Sequence, residues 1–174
     1  KKADQTIAGT TVYAYDKYTV VRVQAKGNVT YTSTNRNIAV VNSTSGLVNA
    51  KKPGVVKIKV TAAGNSNYNR ATGVITLVVT PAKVNMTKVT AVSGRGFRAL
   101  YNKVDGATGY RIAYSTDRSF KTYKTKYVSS NSSKAVITNL AKNKKYYVRV
   151  RAYKKVNGRK YFGLASNTKS VTIK

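Results

Sequence analysis

Apolar and polar residues alternate in short runs along this chain, and the alternation has a period of two. In VVKIKVTAA (55–63), Ile58, Val60 and Ala62 are spaced by Lys57, Lys59 and Thr61. In YYVRVRAYK (146–154), Tyr146, Val148, Val150 and Ala152 are spaced by Tyr147, Arg149, Arg151 and Tyr153. A two-residue period puts alternate side chains on opposite faces of a strand. The remaining runs of the first half are TTVYAY (10–15), YTVVRVQA (18–25), VTYTST (29–34), IAVVN (38–42), GLVNA (46–50) and GVITLVVT (73–80). Those of the second half are KVTAVSG (88–94), GFRALYN (96–102), GYRIAYS (109–115), KYVSS (126–130), KAVITNL (134–140) and a last strand over 161–173. Gly, Asn and Pro clusters punctuate them, among them Pro53-Gly54 and Asn157-Gly158, and such residues carry turn chemistry. No window keeps the i, i+3, i+4, i+7 spacing of a long amphipathic helix. Short strands with a turn every 8–12 residues or so predict an all-β chain built of two β-sandwiches.

The pattern changes character near Pro81. ITLVVTP (75–81) reads as a closing strand, and KVNMTKVTAVSG starts a new series. A short linker around residues 80–85 therefore divides the chain into domains 1–81 and 82–174. Charge shifts at the same place. Residues 1–81 carry 11 Lys and Arg against two Asp, and residues 82–174 carry 22 against two. The second half thus holds +20 of the total +29.

That imbalance narrows the chemistry. The only acids are Asp4, Asp16, Asp105 and Asp117, and Glu, His and Cys are absent. Paired-carboxylate hydrolysis, the common zinc and calcium sites, and Ser or Cys triads all need residues this chain lacks or has too few of. We therefore expect no enzyme activity, no cofactor and no metal. No apolar run reaches 18 residues, so no integral membrane segment is expected. A large positive charge attracts polyanions.

Two stretches carry family resemblances. TYTSTN, IAVVN, SGLVNAKKPGVVKIKVTA and a closing apolar strand, within residues from about 5 to 81, resemble the bacterial Ig-like domain of group 2. VDGATGYRIAYS (104–115), NLAKNKKYYVRVRAY (139–153) and GLASNTKSVTI (163–173) make residues 82–174 similar to a fibronectin type III domain. Together they imply tandem Ig-like β-sandwich domains, as in the repeat regions of secreted and cell-wall surface proteins of Gram-positive Firmicutes. The implied role is a non-catalytic extracellular module of the cell surface or cell wall, part of a stalk, adhesin or filament. The resemblance also implies that Leu140 and Tyr146 form a tyrosine corner, the hydroxyl bonding back to the preceding loop. Tyr101 stands where the fibronectin-type family usually has Trp.

The candidate site is a basic and aromatic row. Tyr147, Arg149, Arg151 and Tyr153 should line the strand face away from the core. Neighbouring strands at 109–115 and 161–173 would add Arg111 and Lys160 or Tyr161. Lys155, Arg159 and Lys160 sit around the Asn157-Gly158 turn, and Lys142, Lys144 and Lys145 in a loop at the other end. Interleaved Arg and Tyr suit phosphate, sulfate and sugar contacts. The alternative is a solvated face whose Lys and Arg stems cover Tyr rings. SFKTYKTKYVSS (119–130) either extends the basic face or is an edge strand protected by charge. Expected partners are anionic polymers: cell-wall teichoic acid, sulfated or sialylated glycans, or nucleic acid. A dedicated polyanion binder and accessory domains of a larger secreted enzyme are the alternatives. Residues 1–10, KKADQTIAGT, could support self-assembly by strand donation.

Overall fold

The computed structural model describes residues 1–174. The chain is all-β and divides into two compact units, Lys1–Thr80 and Pro81–Lys174. Each unit has its own apolar cluster.

The first unit contains β1 (Thr11–Ala14), β2 (Tyr18–Val20), β3 (Val29–Ser33), β4 (Ala39–Val41), β5 (Leu47–Ala50), β6 (Gly54–Ala62) and β7 (Ala71–Val79). One sheet runs β1-β7-β6-β3 and the other β2-β5-β4. Only β1 pairs in parallel, with β7. The alternation of β6 works as its sequence predicts: Val56, Ile58, Val60 and Ala62 are buried, and Lys57 and Lys59 point to water. Gly54 opens β6 with its Cα so close to Ile38 that an added Cβ would stand 3.0 Å from Ile38 Cδ1. The strand expected over 18–25 stops at Val20. Val21 still bonds to Gly46 O at 3.0 Å, but β5 begins at Leu47 and gives residues 22–25 no partner. The N-terminal residues lie along their own unit. Ala3 exchanges backbone bonds with Asn67 and Asn69, and Gln5 Nε2 donates to Asn69 O at 2.7 Å. Donating this segment to another chain would require breaking those bonds.

The second unit contains β8 (Met86–Val92), β9 (Gly96–Tyr101), β10 (Gly109–Ser115), β11 (Lys124–Ser129), β12 (Lys134–Ile137), β13 (Lys145–Val156), β14 (Arg159–Phe162) and β15 (Lys169–Thr172). One sheet runs β12-β9-β8. The other runs β11-β10-β13-β14, with β15 also pairing β13. Val148, Val150 and Ala152 are fully buried and meet Phe97, Tyr110 and Ile112. The last strand, expected to be continuous over 161–173, is broken into β14 and β15. Between them the Ser166 hydroxyl accepts the Val150 N–H at 2.9 Å in place of a ladder carbonyl. A side chain that competes with the backbone in this way interrupts a strand.

Asn157 and Gly158 both have positive φ, 47° and 80°, and join Val156 to Arg159. Two central residues with positive φ make the type I′ turn that matches strand twist. Tyr146 forms the corner that the resemblance implies: its hydroxyl accepts the Ala141 N–H at 3.3 Å. Tyr146→Phe deletes this acceptor, and the expected cost is about 0.5–1.5 kcal/mol, the net worth of one hydrogen bond. Urea unfolding of the variant checks this value.

Candidate functional site

The outer face of the five-stranded sheet is where positive charge becomes organised. Strand pairing sets the layout. Arg111 of β10 lies directly across from Arg151 of β13, and Ala113 lies across from Arg149. On the other side of β10, Tyr127 of β11 pairs with Arg111. On the other side of β13, Phe162 of β14 pairs with Tyr153, and Lys160 with Lys155. Arg111, Arg149 and Arg151 are each half-buried. They line one cleft of about 210 Å³ together with Ala113, Ser119, Phe120, Tyr123 and Ala165.

The loop between β10 and β11 closes this cleft. Asp117 builds it by accepting the Ser119 N–H at 2.8 Å, the Ser119 hydroxyl at 2.6 Å and the Lys121 N–H at 3.0 Å. Those bonds, the Ser119 hydroxyl first, hold the Asp117 carboxyl below its usual range. The hydroxyl of Ser115 ties the loop at both ends, accepting Asp117 N–H and donating to Thr122 O. Phe120 is thereby held at φ 58°, a region costly for an aromatic residue and common at functional sites. Its ring lies 4.2 Å from the Arg149 guanidinium carbon. Arg149 Nε also donates to Thr168 Oγ1 at 2.8 Å.

Arg111 is held differently. Its guanidinium carbon lies 4.3 Å from the Phe162 ring centroid. Its Nε is shielded from water and makes no hydrogen bond. A donor left in that state costs about 1–3 kcal/mol. Beside it Tyr153 packs against Tyr127 and Phe162, with centroids 5.8 and 5.7 Å apart. Lys160 Nζ caps this stack, 4.1 Å from the Tyr127 ring.

Several candidates therefore take new positions. Tyr153 lies on the same face as Arg151 but is only 9% exposed. The Lys160, Tyr127 and Phe162 side chains cover it, so it supports the face from beneath. Tyr147 stays on the outer face but pairs with Ser115 and Ser170, beyond the cleft. Lys145 Nζ sits 5.7 Å from its ring. Lys145, Lys155, Arg159 and Lys160, expected in loops, are strand residues: β13 runs past its apolar alternation at both ends, and Arg159 and Lys160 open β14. Lys155 and Lys160 share the outer face. Arg159 pairs with Val156 and so has the opposite parity, its guanidinium lying over Tyr161 at 5.2 Å. Tyr161 pairs with Lys154 and also faces away from the row, so Lys160 is the neighbour that joins it.

Within 119–130, β11 is the end strand of its sheet. Lys126 has core-facing parity opposite Ile112, and its Nζ donates to Val136 O of β12 at 2.9 Å. An inward-pointing Lys on an edge strand obstructs pairing with another chain. The same segment sends Tyr127 to the outer face but neither β11 lysine, since Lys124 and Lys126 pair with Tyr114 and Ile112. A larger cleft, about 420 Å³, opens beside Tyr114 and Tyr146, but Lys124 is its one charged lining residue.

The strand order and core of the first unit are those of an Ig-like sandwich. Residues 8–72 match the family model of the bacterial Ig-like domain (group 2). The match runs from just before β1 into the start of β7. No curated protein matches the chain. Among solved structures, the chain is similar to the FN1–FN3 domains of chicken CNTN1, at 18% identity and TM-score 0.48, over 99% of this chain and 68% of that one. It is also similar to a Fn3-like protein from Clostridium thermocellum, at 24% identity and TM-score 0.42, over 53% of this chain and 90% of that one. A third similarity is to a myokine, at 16% identity and TM-score 0.41, over 53% of this chain and 94% of that one.

The charge-rich cleft lies in the second unit, outside the matched Ig-like residues. The sequence pointed to the cleft's three arginines and to the segment 119–130 that supplies Ser119, Phe120 and Tyr123, but not to those three residues individually, nor to Phe162, which packs on Arg111. A signal for Phe120 was present: Asp117 two residues before Ser119 is the pattern of an Asx turn.

Proposed function

We propose that the protein is a non-catalytic module of a secreted or cell-wall protein. Its Ig-like unit serves as a spacer, and its basic unit holds the module against anionic polymers. The candidate polymers are cell-wall teichoic acid and sulfated or sialylated glycans. One observation carries this reading: Arg111, Arg149 and Arg151 line a single cleft, and the one acid nearby, Asp117, is committed to its own loop. Arginine presents a planar fork of donors that matches carboxylate, sulfate and phosphate oxygens. Half-burial strengthens the attraction, since charge is screened less there than in open water.

Titration with a sulfated polysaccharide at several salt concentrations tests this function. Log affinity should fall linearly with log salt, because neutralising the polymer releases its counterions. Changing Arg149 and Arg151 to Ser should weaken binding more than changing Lys51 and Lys52 to Ser. Equal losses would mean that net charge alone is responsible. No binding at roughly 50 mM salt, where such contacts are strong, would overturn the reading.

A further inference from the structure

We propose that the Arg111–Arg149–Arg151 cleft is a built pocket for one acidic sugar, a single pyranose ring bearing a carboxylate or sulfate. The proposal rests on the polyanion reading above and names the unit of ligand that the face recognises. The geometry is specific. Arg111 and Arg151 are direct cross-strand partners, and Arg149 is two residues along from Arg151. Direct partners stand about 5 Å apart, and two strand residues advance about 7 Å. Three guanidinium groups thus start from one small triangle and line one cleft. Like charges directly opposed are unfavourable in the free protein, and an oxyanion between them removes that repulsion.

The rest of the cleft is shaped for a ring. Its volume of about 210 Å³ equals roughly seven water molecules of liquid, more than a lone oxyanion fills. Ala113 and Ala165 leave space where larger side chains would close it. Phe120 and Tyr123 supply an aromatic wall, and the Tyr123 side chain is 49% exposed. The wall comes from a loop that Asp117 holds in a strained form. A nucleotide fits less well: base and phosphate would both need this one cleft.

The test is an NMR titration of the full chain with D-glucuronate, glucose 6-sulfate, inorganic sulfate and glucose. Glucuronate and glucose 6-sulfate should saturably shift the amides of the Phe120–Tyr123 loop and the Nε–H signals of Arg111, Arg149 and Arg151. Glucose should shift none of them. Arg111→Lys keeps the net charge but loses the fork, so acidic-sugar affinity should fall about 10-fold while binding of a sulfated polysaccharide at low salt barely changes. Phe120→Gly relieves the positive φ, so Tm should rise while acidic-sugar affinity falls. If the polysaccharide binds but roughly 50 mM acidic sugar shifts nothing, the pocket is refuted and the polyanion reading stands. If neither binds, both fail. Inorganic sulfate binding as tightly as glucose 6-sulfate would refute the ring, and a mononucleotide displacing the sugars at lower concentration would replace it.

Discussion

Replacing Ile112 with Ala is expected to lower the unfolding free energy of the second unit by about 2–5 kcal/mol. Ile112 is fully buried at the centre of β10. Its backbone is paired on both sides, with Lys126 of β11 and Val150 of β13. A strand fixed from both edges cannot move inward to fill the space a lost side chain leaves. The cost therefore includes the cavity as well as the lost burial. The partners lining that space, Phe97, Tyr110 and Val148, are themselves fully buried, so they have little freedom to shift. Urea unfolding followed by the amide signals of each unit measures the change. The parallel variant Ile58→Ala removes an equally buried residue of the first unit, and its loss should register on the first unit's signals. A loss below about 1 kcal/mol for Ile112→Ala would mean that this core repacks like a loose one. The variant also bears on the site, because Arg111 and Ala113 flank Ile112 on the opposite face. A loosened β10 should broaden the cleft's signals before the unit unfolds.

How much of this was legible in the sequence depended on whether one face of a strand was apolar. In β6 from Val56 onward and in β13 from Tyr146 to Ala152 the aliphatic residues occupy one parity only, so the core face could be read directly. Asn157-Gly158 has only one common structural use between two strands, and the structure uses it so. In 119–130 Val128 is the one aliphatic residue, and the rest of both parities is polar or aromatic. One residue is too weak a pattern to turn Lys126, which shares its parity, inward and Tyr127 out. The break in the last strand was hidden for a different reason. Ser166 accepts a backbone bond that a ladder carbonyl would otherwise take, and Ser gives no sign of which bond it will choose. The cover over Tyr153 was hidden because alternation identifies a face and not what covers it. Tyr127 arrives from β11, on the far side of β10, and Lys160 and Phe162 from β14 across the hairpin turn. The arginines of the cleft were legible by parity and pairing. The loop that walls it depends on Asp117 forcing Phe120 to positive φ, which is a matter of local bonds rather than period.

Alkaline pH should destabilise the second unit through Tyr101, and Tyr101→Phe should remove that sensitivity. Tyr101 is 2% exposed. Its ring meets Tyr110 with centroids 4.8 Å apart. Its hydroxyl donates a long bond to Lys134 O at 3.5 Å and lies beside the Ser132 side chain. Burial disfavours the phenolate and pushes the pKa from 10.0 up to about 12, with a smaller opposing effect from Ser132. The folded state thus holds its proton more tightly than the unfolded chain does. The stabilisation is fully present below pH 10, declines as the unfolded tyrosine ionises, and is gone once pH passes about 12. A single proton changes stability by at most about 1.4 kcal/mol per pH unit. Tyr114 is also raised by burial, with its neighbour Tyr146 adding to the shift, so it contributes in the same direction. Raising the pH also relieves the self-repulsion of a +29 chain, which works the opposite way. The difference between wild type and Tyr101→Phe cancels that common effect. Urea midpoints of both proteins, measured at half-unit steps from pH 8 upward, should run parallel below pH 10 and converge or cross above it. Curves that stay parallel to the highest pH at which both still fold would show that Tyr101 ionises as freely in the core as in the unfolded chain.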